Sequence, residues 1–473
     1  MLDQLQHFSK QELEKIHNTS MQILGEMGVV FQAPAALQIF KQHGFKIKGK
    51  TVFFNERQLT TALETVPRQF EITARNPQKS VLVGGGDPVF APGYGAPFIA
   101  DVRGEQRRGT LEDYINFCKL VHTSEQIDML GYEMVDPGDV PSEHAYLYLM
   151  QANLTYSDKP FMGSVVPKMA AQDAIEMASF LWGGRAYIQD KYVILPTINP
   201  ISPLVWDHNM SDAIVVYAEN HQPIMFENLM MSGSTGPITL AGTIVLQNAE
   251  ILSGLVLTQL ITPGLPVIFG NIPGTTDMRS GNLSIGAPET SIFVSANAQM
   301  AQFYGVPGRS GGNLTDAHIP DMQAGIESAI CLLTAMRSGT TFLLHSCGIL
   351  GSYLAMSYEK FIIDEEIIAM VKRILRPVTI SDATIDFDTI KEVGVGGEFL
   401  SHPSTFEHFR DEHFDTILLN RMSYNDWVQQ GRKDTSARAG EIVRSRLESY
   451  EKPEMDQEIE KRIHNYVQGK IAG

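Results

Sequence analysis

The chain has 473 residues, of which 43% are hydrophobic and 19% are charged, so disorder is excluded as its main state. Its 37 basic and 54 acidic residues give a net charge of −17, which repels phosphate backbones and argues against a nucleic-acid partner. Three cysteines without a CxxC pair fit a reducing cytoplasm, and the N-terminus lacks the basic start and apolar core of a signal peptide.

The first 87 residues are predicted to form a helical extension with short strands. Ser9 is placed to cap a helix that ends near Met27. The buried face of that helix is predicted to carry Ile16, Ile23, Leu24 and Met27. Two shorter helices and two short strands are expected to follow, at about 35–42, 56–66, 69–74 and 80–83.

Residues 88–376 show eight short apolar runs, spaced roughly as single β-plus-α units, with helical patterns between them. The runs cover 88–95, 128–137, 160–166, 192–200, 223–233, 266–274, 306–316 and 340–348. This pattern predicts an α/β fold, a (β/α)8 TIM barrel with N-terminal and C-terminal helical extensions. An open doubly wound sheet is the alternative, but the glycine-rich dinucleotide turn that often marks that fold is missing. Residues 377–473 carry dense charge and are expected to form the C-terminal helical extension.

The longest uncharged stretch runs from Ile251 to Thr276. Pro263, Gly264 and Pro266 interrupt it, so it is predicted to be a buried helix followed by a buried strand rather than a membrane span. We therefore expect no membrane partner and a cytoplasmic location.

A barrel carries its active site at the carboxyl ends of its strands, which selects candidate residues before any motif is considered. Glu227 ends an otherwise apolar strand, and a buried carboxylate needs a partner there. A bound cation and a salt bridge, to Arg309 or to another barrel residue, are both open as that partner. His345 ends the last strand and is either a ligand-binding residue or a hydrogen-bonded core histidine. Tyr94, Phe98 and Phe226 are candidates to attract a methylammonium group with their ring faces, with core packing as the alternative.

Other chemistries find little support in the motifs. The His-rich segment 402–413 has neither the HExxH order nor cysteine partners, so we predict no metal bound by this chain. GxGxxG, P-loop and GxSxG patterns are also missing from the sequence.

Several long segments resemble the trimethylamine methyltransferase family, and the resemblance covers nearly the whole chain. They include VFAPGYGAPF, LTYSDKPFMGS, GAPETSIFVSANAQMAQFYGVPGRSGGNLTDAHIPDMQAGIES and SYEKFIIDEE. The resemblance implies a barrel enzyme that moves a methyl group from a methylated amine to the cobalt of a corrinoid (cobalamin) held by a partner protein. The archaeal trimethylamine enzymes carry pyrrolysine, whereas this sequence has only the twenty standard residues. It therefore resembles the non-pyrrolysine branch, whose substrates are quaternary amines such as glycine betaine, proline betaine and carnitine.

The resemblance and the strand-end positions together give a set of expected substrate-binding residues. They are Tyr94, Phe98, Phe226, Glu227, Arg309, Asn313 and His345. The three aromatic residues are expected to surround the trimethylammonium, Glu227 to balance its charge, and the last three to bind the carboxylate. No residue is assigned as a catalytic acid or base, because a quaternary ammonium already leaves as a neutral amine.

Three other functions stay open from the sequence. The chain could act on another methylated amine in the manner of the trimethylamine enzymes. It could be a barrel lyase acting on a small anion, with SGGN at 310–313 as the feature in favour. It could also be a betaine-binding protein without catalysis. The expected assembly is a homo-oligomer.

Overall fold

The structure is a computed structural model, and it describes residues 4–472. Seven short parallel strands form one sheet, and from the second to the seventh each lies beside the strand that follows it in sequence. These strands are Val89–Phe90, Phe161–Gly163, Ile194–Ile198, Ile224–Phe226, Val267–Gly270, Gly308–Arg309 and Phe342–Leu343. The last strand pairs back onto the first, with Phe342 opposite Val89. An open doubly wound sheet is therefore the wrong alternative.

An eighth segment closes the sheet between its two remaining edges. The backbone N–H of Asp128 donates to the Phe90 carbonyl over 2.9 Å, and Leu130 forms a parallel bridge with Phe161. The eight sequence runs thus supply the eight strand positions of a barrel, which confirms the predicted (β/α)8 fold.

A helix follows each of the eight strand positions and packs on the outside of the barrel. These helices are Leu111–Thr123, Ala145–Tyr156, Lys168–Leu181, His208–Glu219, Leu240–Ile261, Pro288–Tyr304, Met322–Arg337 and Tyr358–Leu375, and a short helix Arg185–Gln189 follows the third. Local sequence sets where they begin. At Thr110 a capping box forms, because its side chain accepts the N–H of Asp113 while the Asp113 side chain accepts the N–H of Thr110.

The helix Leu240–Ile261 is long and apolar enough to cross a membrane by length and composition alone. In its most apolar stretch, however, 72% of the residues are buried inside the protein. The uncharged stretch 251–276 thus forms a core helix followed by the strand Val267–Gly270, as the sequence predicts.

The N-terminal extension packs against the side of the barrel that the helix Leu240–Ile261 forms. Its first helix, Lys10–Glu26, is capped by Ser9 as predicted, and Leu13 and Leu24 are among its buried residues. The predicted position of Met27 on the buried face is wrong, because Met27 lies at the C-cap and is 62% exposed. The extension also contains Pro34–Gln42, Glu56–Thr65, the 3₁₀ turn Pro77–Lys79 and the strand pair Phe70–Ile72 and Val81–Val83.

A small sheet that the sequence did not reveal ties this extension to the barrel. Its antiparallel strands Val29–Phe31, Thr51–Phe53 and Lys46–Lys48 are extended in parallel by Val205–Trp206, which lies in the loop after a barrel strand. The N-terminal segment is thereby anchored beside the loops that surround the barrel mouth.

Short strands after the barrel strands cover the mouth. They are Phe98–Ala100, Gln106–Arg108, Leu229–Ser232, Ile272–Thr276, Leu283–Ser284, Ile349–Leu350 and Ala355–Met356. Beyond the barrel, the C-terminal extension consists of helices Asp382–Ile385, Phe387–Val393, Pro403–Glu412, Tyr424–Gln429, Thr435–Glu448 and Gln457–Ala472.

Candidate functional site

Glu227 and Arg309 form a buried ion pair at the carboxyl ends of two barrel strands. The Arg309 Nε and the Glu227 Oε2 lie 2.9 Å apart, and their side chains are 0% and 1% exposed. Burial raises the pKa of the Glu227 carboxyl, and the neighbouring guanidinium opposes that rise. Of the two partners that the sequence left open for Glu227, the structure shows the arginine.

The guanidinium of Arg309 is hydrogen-bonded to the end of the preceding barrel strand. Its Nη1 donates to the backbone carbonyl of Asn271, and the Asn271 side chain accepts from the Ser310 hydroxyl. The Arg309 carbonyl accepts from the Asn297 side-chain amide over 2.9 Å. This support fixes the direction of the guanidinium within the barrel.

His345 faces the same region and has a strained backbone. Its φ of 60° is left-handed, which for a residue other than glycine is uncommon and concentrates at functional sites. Its ring centroid lies 4.6 Å from that of Tyr353 and 6.5 Å from that of Tyr94. Burial, followed by the positive charge of Arg309, lowers the pKa of His345 well below its usual value, so the ring is neutral at pH 7.

Asn313 holds the turn that carries His345. Its backbone N–H donates to the His345 carbonyl over 3.0 Å, and its side-chain amide donates to the Ser346 carbonyl over 2.6 Å. The preceding residue is Gly312, with φ of 128°, and a Cβ there would lie 2.4 Å from the Leu344 carbonyl oxygen. Gly312 therefore serves close backbone packing against the last strand, and Asn313 positions His345.

Glu133 and two tyrosines, Tyr94 and Tyr132, also belong to this group. The rings of Tyr94 and Tyr132 lie 6.3 Å apart, and the Tyr94 hydroxyl has a pKa raised well above 10 by burial and by the charges of Glu133 and Glu227. Burial and the nearby Asp136 raise the pKa of Glu133 to about 7. Like His345, Glu133 has a left-handed backbone, with φ of 52°.

Several buried polar atoms in this group have no hydrogen-bond partner among residues 4–472. They are the Nη2 of Arg309, the Nδ1 of His345, the hydroxyl of Tyr353 and the Oδ1 of Asn313. Because buried polar groups are nearly always paired, such a concentration is typical of a site that a ligand or water completes.

Two of the predicted aromatic residues lie elsewhere. Phe226 directly precedes Glu227, and successive strand residues point to opposite faces, so its ring points out of the barrel. It packs edge-on against Trp206 at 5.6 Å, where Gly254 of the outer helix leaves room for both rings. Phe98 lies in a small separate cluster with Ala317 and under the guanidinium of Arg108. The expected role of Phe226 in surrounding a substrate is therefore wrong.

Tyr94, Glu227, Arg309, Asn313 and His345 are brought together, as the strand-end rule predicts. Tyr132, Glu133 and Tyr353 join them, although none was among the expected substrate-binding residues. Glu133 and Tyr353 could have been included, because Glu133 lies within the predicted run 128–137 and Tyr353 follows the last run, 340–348.

A second buried ion pair supports the site from outside. Lys360 and Asp364 lie one turn apart on the helix Tyr358–Leu375, and both side chains are fully buried. The Asp364 carboxylate accepts the N–H of Gly348 over 2.8 Å, and its backbone carbonyl accepts from Asn313. Burial raises the pKa of Asp364 to about 7. This helix therefore fixes the loop that begins with His345.

The titratable groups of the described residues are the candidates for a metal centre. Within residues 4–472 no group of three or more His, Cys, Asp or Glu side chains is arranged to hold a metal ion. All three cysteines are free and buried. Burial raises the pKa of Cys118 and Cys347 well above 9 and that of Cys331 to about 12.

The sequence profile of the trimethylamine methyltransferase (MTTB) family matches residues 1–473. The chain belongs to this family. A glycine betaine methyltransferase of Desulfitobacterium hafniense (strain Y51) is 41% identical to it over 98% of this chain and 97% of that protein. A proline betaine:corrinoid methyltransferase of Eubacterium limosum is 34% identical over 98% and 97% of the two chains.

The fold has a counterpart among solved structures. The monomethylamine methyltransferase of Methanosarcina barkeri superposes with a TM-score of 0.56, covering 95% of this chain and 90% of the other. At 12% sequence identity this likeness concerns the fold alone, and it agrees with the barrel described above.

Proposed function

We propose that this protein transfers a methyl group from a quaternary amine, with glycine betaine as the preferred candidate, to the cobalt of a corrinoid bound to a partner protein. The released product is the tertiary amine. Membership of the family, together with 41% identity to a glycine betaine methyltransferase, supports the reaction class.

The main support for the substrate class is the buried Glu227–Arg309 ion pair, which is surrounded by polar atoms without hydrogen-bond partners. Glycine betaine is a zwitterion whose cation and carboxylate are separated by a single methylene. A fixed pair of opposite charges complements such a molecule, with the carboxylate of Glu227 toward the ammonium and the free Nη2 of Arg309 toward the carboxylate. Tyr94, Tyr132 and Tyr353 add ring faces for the methyl groups.

The protonation states of the site suit a reaction without proton transfer. The depressed pKa of His345 and the raised pKa of Tyr94 keep both groups neutral at pH 7. A quaternary nitrogen needs no acid, because it departs as a neutral amine. The corrinoid, when its carrier protein is bound, supplies a nucleophilic cobalt. The residues of this chain are left with binding the cation, orienting one C–N bond and excluding water.

The test is spectroscopic and uses the whole chain. Purified protein is mixed anaerobically with cob(I)alamin and, separately, with glycine betaine, proline betaine, carnitine or trimethylamine. We expect loss of the Co(I) absorbance and growth of methylcobalamin with a betaine. Activity with trimethylamine alone contradicts the proposed substrate class, and ligand binding without methylcobalamin, even with a corrinoid carrier protein, indicates a binding protein.

A matched pair of variants tests the role of Glu227. The substitution Glu227→Gln keeps the shape but removes the charge opposite the ammonium, and we expect at least a tenfold weaker Kd for glycine betaine, or about 1.4 kcal/mol. The control is Glu250→Gln, another fully buried carboxylate, which lies on the helix Leu240–Ile261 and accepts from the Asn228 side chain and the Leu204 N–H. Calorimetry on both folded variants separates the two effects, and equal affinity in Glu227→Gln and wild type removes this residue from the binding site.

The setting of the enzyme follows from the same assignment. A corrinoid protein is the expected macromolecular partner, and the free buried cysteines suit a cytoplasmic location.

We also propose that the chain is divided into an N-terminal extension of residues 1–87, a barrel of residues 88–376 and a C-terminal extension of residues 377–473.

A further inference from the structure

Three successive residues after the last barrel strand have left-handed backbones. Gly351, Ser352 and Tyr353 have φ of 57°, 56° and 74°, and we call them the left-handed segment. Residues other than glycine rarely adopt this conformation in succession, so the segment persists only where its surroundings hold it. It matters for the candidate site because the ring of Tyr353 lies 4.6 Å from that of His345.

The position of Tyr353 does not depend on a hydrogen bond of its own side chain. Its hydroxyl is buried and has no hydrogen-bond partner among residues 4–472. The direction of the ring is therefore set by the backbone that carries it and by its contact with His345. A group that fixes the left-handed segment thus also fixes the part of the site that Tyr353 forms.

The loop after the neighbouring barrel strand holds the left-handed segment with three hydrogen bonds. The N–H of Gly351 donates to the Ala317 carbonyl over 2.8 Å. The N–H of Ser352 donates to the Thr315 carbonyl over 3.1 Å. The third bond joins two side chains, since the Ser352 hydroxyl donates to the Oδ1 of Asp316 over 2.7 Å. This last bond is the one that a side-chain substitution removes.

The carboxylate of Asp316 also binds a third loop at the barrel mouth. Its Oδ1 accepts the N–H of Ile285 over 2.7 Å. Its Oδ2 accepts the N–H of Gly286 over 3.0 Å and the hydroxyl of Ser284. Ser284 ends the antiparallel hairpin in the three-stranded sheet over the mouth. One carboxylate thus joins this sheet to the left-handed segment.

A second carboxylate fixes the backbone of Asp316. Glu327, on the helix Met322–Arg337, accepts the N–H of Asp316 over 2.9 Å and the hydroxyl of Thr315 over 2.7 Å. The hairpin loop comes close to the same group, because a Cβ at Gly286 would lie 2.3 Å from the Glu327 carboxyl carbon. Asp316 is therefore anchored on an outer helix of the barrel while its side chain binds the two mouth loops.

We propose that Asp316 is a positioning residue, which joins the sheet over the mouth to the left-handed segment and thereby holds Tyr353 against His345. The proposal rests on the proposed function, because the expected substrate of the Tyr353 ring is a quaternary amine. All four groups that the Asp316 carboxylate binds belong to the loops, so its effect reaches the substrate through Tyr353. Without this carboxylate, the ammonium loses one of the ring faces around it.

The first experiment observes Tyr353 without any substrate. A fluorinated tyrosine is placed at position 353 of the whole chain, and its fluorine NMR signal is compared between wild type and Asp316→Ala. We expect one sharp signal in wild type, and a signal in the variant that is broadened or shifted toward the value of an exposed tyrosine. An unchanged signal in Asp316→Ala overturns the proposal.

The matched control is Asp277→Ala, which removes another carboxylate from the same hairpin. Asp277 accepts from the N–H of Arg279 and the hydroxyl of Ser280, both within the hairpin turn. It does not join the hairpin to the left-handed segment, so we expect the signal of Tyr353 to stay as in wild type. If Asp316→Ala fails to fold, Ser352→Ala removes only the bond between the two loops and should change the signal in the same way. An unchanged signal in Ser352→Ala then contradicts the proposal.

A double-mutant cycle tests whether the effect on binding passes through Tyr353. Calorimetry gives the Kd for glycine betaine of wild type, Asp316→Ala, Tyr353→Leu and the double variant. We expect each single substitution to weaken binding roughly tenfold, and the double variant to stay within about twofold of Tyr353→Leu. If the two effects multiply instead, Asp316 acts independently of Tyr353 and the proposal is wrong.

The conservative variant Asp316→Asn supplies a further test. Its remaining carbonyl oxygen can still accept from Ile285 and Ser352, so we expect it to recover most of the affinity that Asp316→Ala loses. An asparagine variant as weak as the alanine variant contradicts the hydrogen-bonded connection. A wild-type chain that binds no betaine contradicts the proposed function instead, because the fluorine signal reports on Asp316 and Tyr353 without a substrate.

Discussion

Residues with left-handed backbones cluster around the candidate site. Glu133, His345 and Tyr353 have φ of 52°, 60° and 74°, and each such conformation costs roughly 1–3 kcal/mol outside glycine. The surrounding hydrogen bonds, such as that from His345 N–H to the Pro92 carbonyl, hold the chain in this state. The strained backbone thus lowers the free energy of unfolding while it directs these side chains toward the same site.

At this scale Glu133 gives a pH-dependent prediction. Its pKa of about 7 means that the side chain is neutral below pH 7 and anionic above it. Because the anion lies near Tyr94, we expect KM for a quaternary amine to fall as pH rises through 7. The variant Glu133→Gln should lose this dependence, which steady-state kinetics with a methyl-accepting corrinoid measures.

The same pKa shift has a consequence for folding stability, with a defined sign. A carboxyl whose folded pKa lies above its unfolded value contributes stability below the unfolded value of about 4.5, and loses it as pH rises through 7.

The matched variant for the kinetic prediction is Asp136→Asn. It removes a charge that raises the pKa of Glu133, so the midpoint of the KM profile should move to lower pH. An unchanged midpoint would contradict the assignment of the titration to Glu133.

The sequence predicted part of the site for a physical reason. Glu227 had to have a partner because a buried carboxylate is costly alone, and strand-end position correctly grouped it with Arg309 and His345. The direction of Phe226 was not predictable from its aromatic character. It follows from the two-residue period of a strand, which forces a neighbour of an inward-facing Glu227 outward.

At the scale of elements, the last strand and its loop are fixed from two sides. The glycine-rich loop 310–313 packs on one side of residues 344–346, and the helix Tyr358–Leu375 holds Gly348 on the other. The position of His345 therefore depends on two elements that hold the last strand and its loop from opposite sides.

A Cβ at Gly312 is expected to disturb this arrangement. Gly312→Ala would meet the Leu344 carbonyl oxygen at 2.4 Å, in addition to its strained φ of 128°. The control Gly86→Ala has a similarly unfavourable φ of 112° but has nothing within 4 Å of its new Cβ. We expect Gly312→Ala to destabilise by roughly 1–3 kcal/mol more than the control, measured by denaturant unfolding. Equal losses would show that backbone strain alone is responsible.

The buried pair on the last barrel helix makes another prediction. Lys360→Met leaves Asp364 buried without its cation and should cost roughly 3–5 kcal/mol of unfolding free energy. Because losing Lys360 raises the pKa of Asp364 further above 7, the loss should be larger above pH 7 than below it. The double variant Lys360→Met/Asp364→Asn should recover part of the stability, since Asn can still accept from Gly348. No recovery would mean that the charge of Asp364 is not the source of the cost.

Helix and strand order was predictable, whereas their interactions across the chain were not. Helical and strand periods and capping residues such as Ser9 and Thr110 are local signals, so the alternation of the barrel could be recognised. The sheet that joins Val29–Phe31 to Val205–Trp206 pairs residues that are far apart in sequence, for which no local pattern exists.

On the scale of the whole molecule, the C-terminal extension returns to the barrel with its last two helices. The helix Gln457–Ala472 lies across two barrel helices, and Asp173 is its main polar anchor. The two oxygens of Asp173 accept from Tyr466 and Tyr146 over 2.7 Å and 2.8 Å, and Lys470 lies 2.8 Å away. The polar contacts of the terminal helix therefore meet at one nearly buried carboxylate, while its buried residues Ile463 and Val467 supply the apolar contact.

Removing that carboxylate should loosen the end of the chain selectively. We expect Asp173→Ala to increase hydrogen exchange in residues 457–472 by at least tenfold while exchange in the barrel strands is unchanged. The control Glu176→Ala removes a carboxylate one turn away that pairs with Arg185 instead. Exchange that rises throughout the barrel would indicate a global loss of stability rather than release of one helix.

The protonation of the three cysteines affects a side reaction of the proposed chemistry, the methylation of the protein's own thiols. A methyl group that is activated for transfer reacts with thiolates far more readily than with thiols. Because burial keeps Cys118, Cys331 and Cys347 protonated, none of the three offers a thiolate that could be alkylated in place of the acceptor. The same burial that packs the core thus protects the catalyst from inactivating itself during turnover.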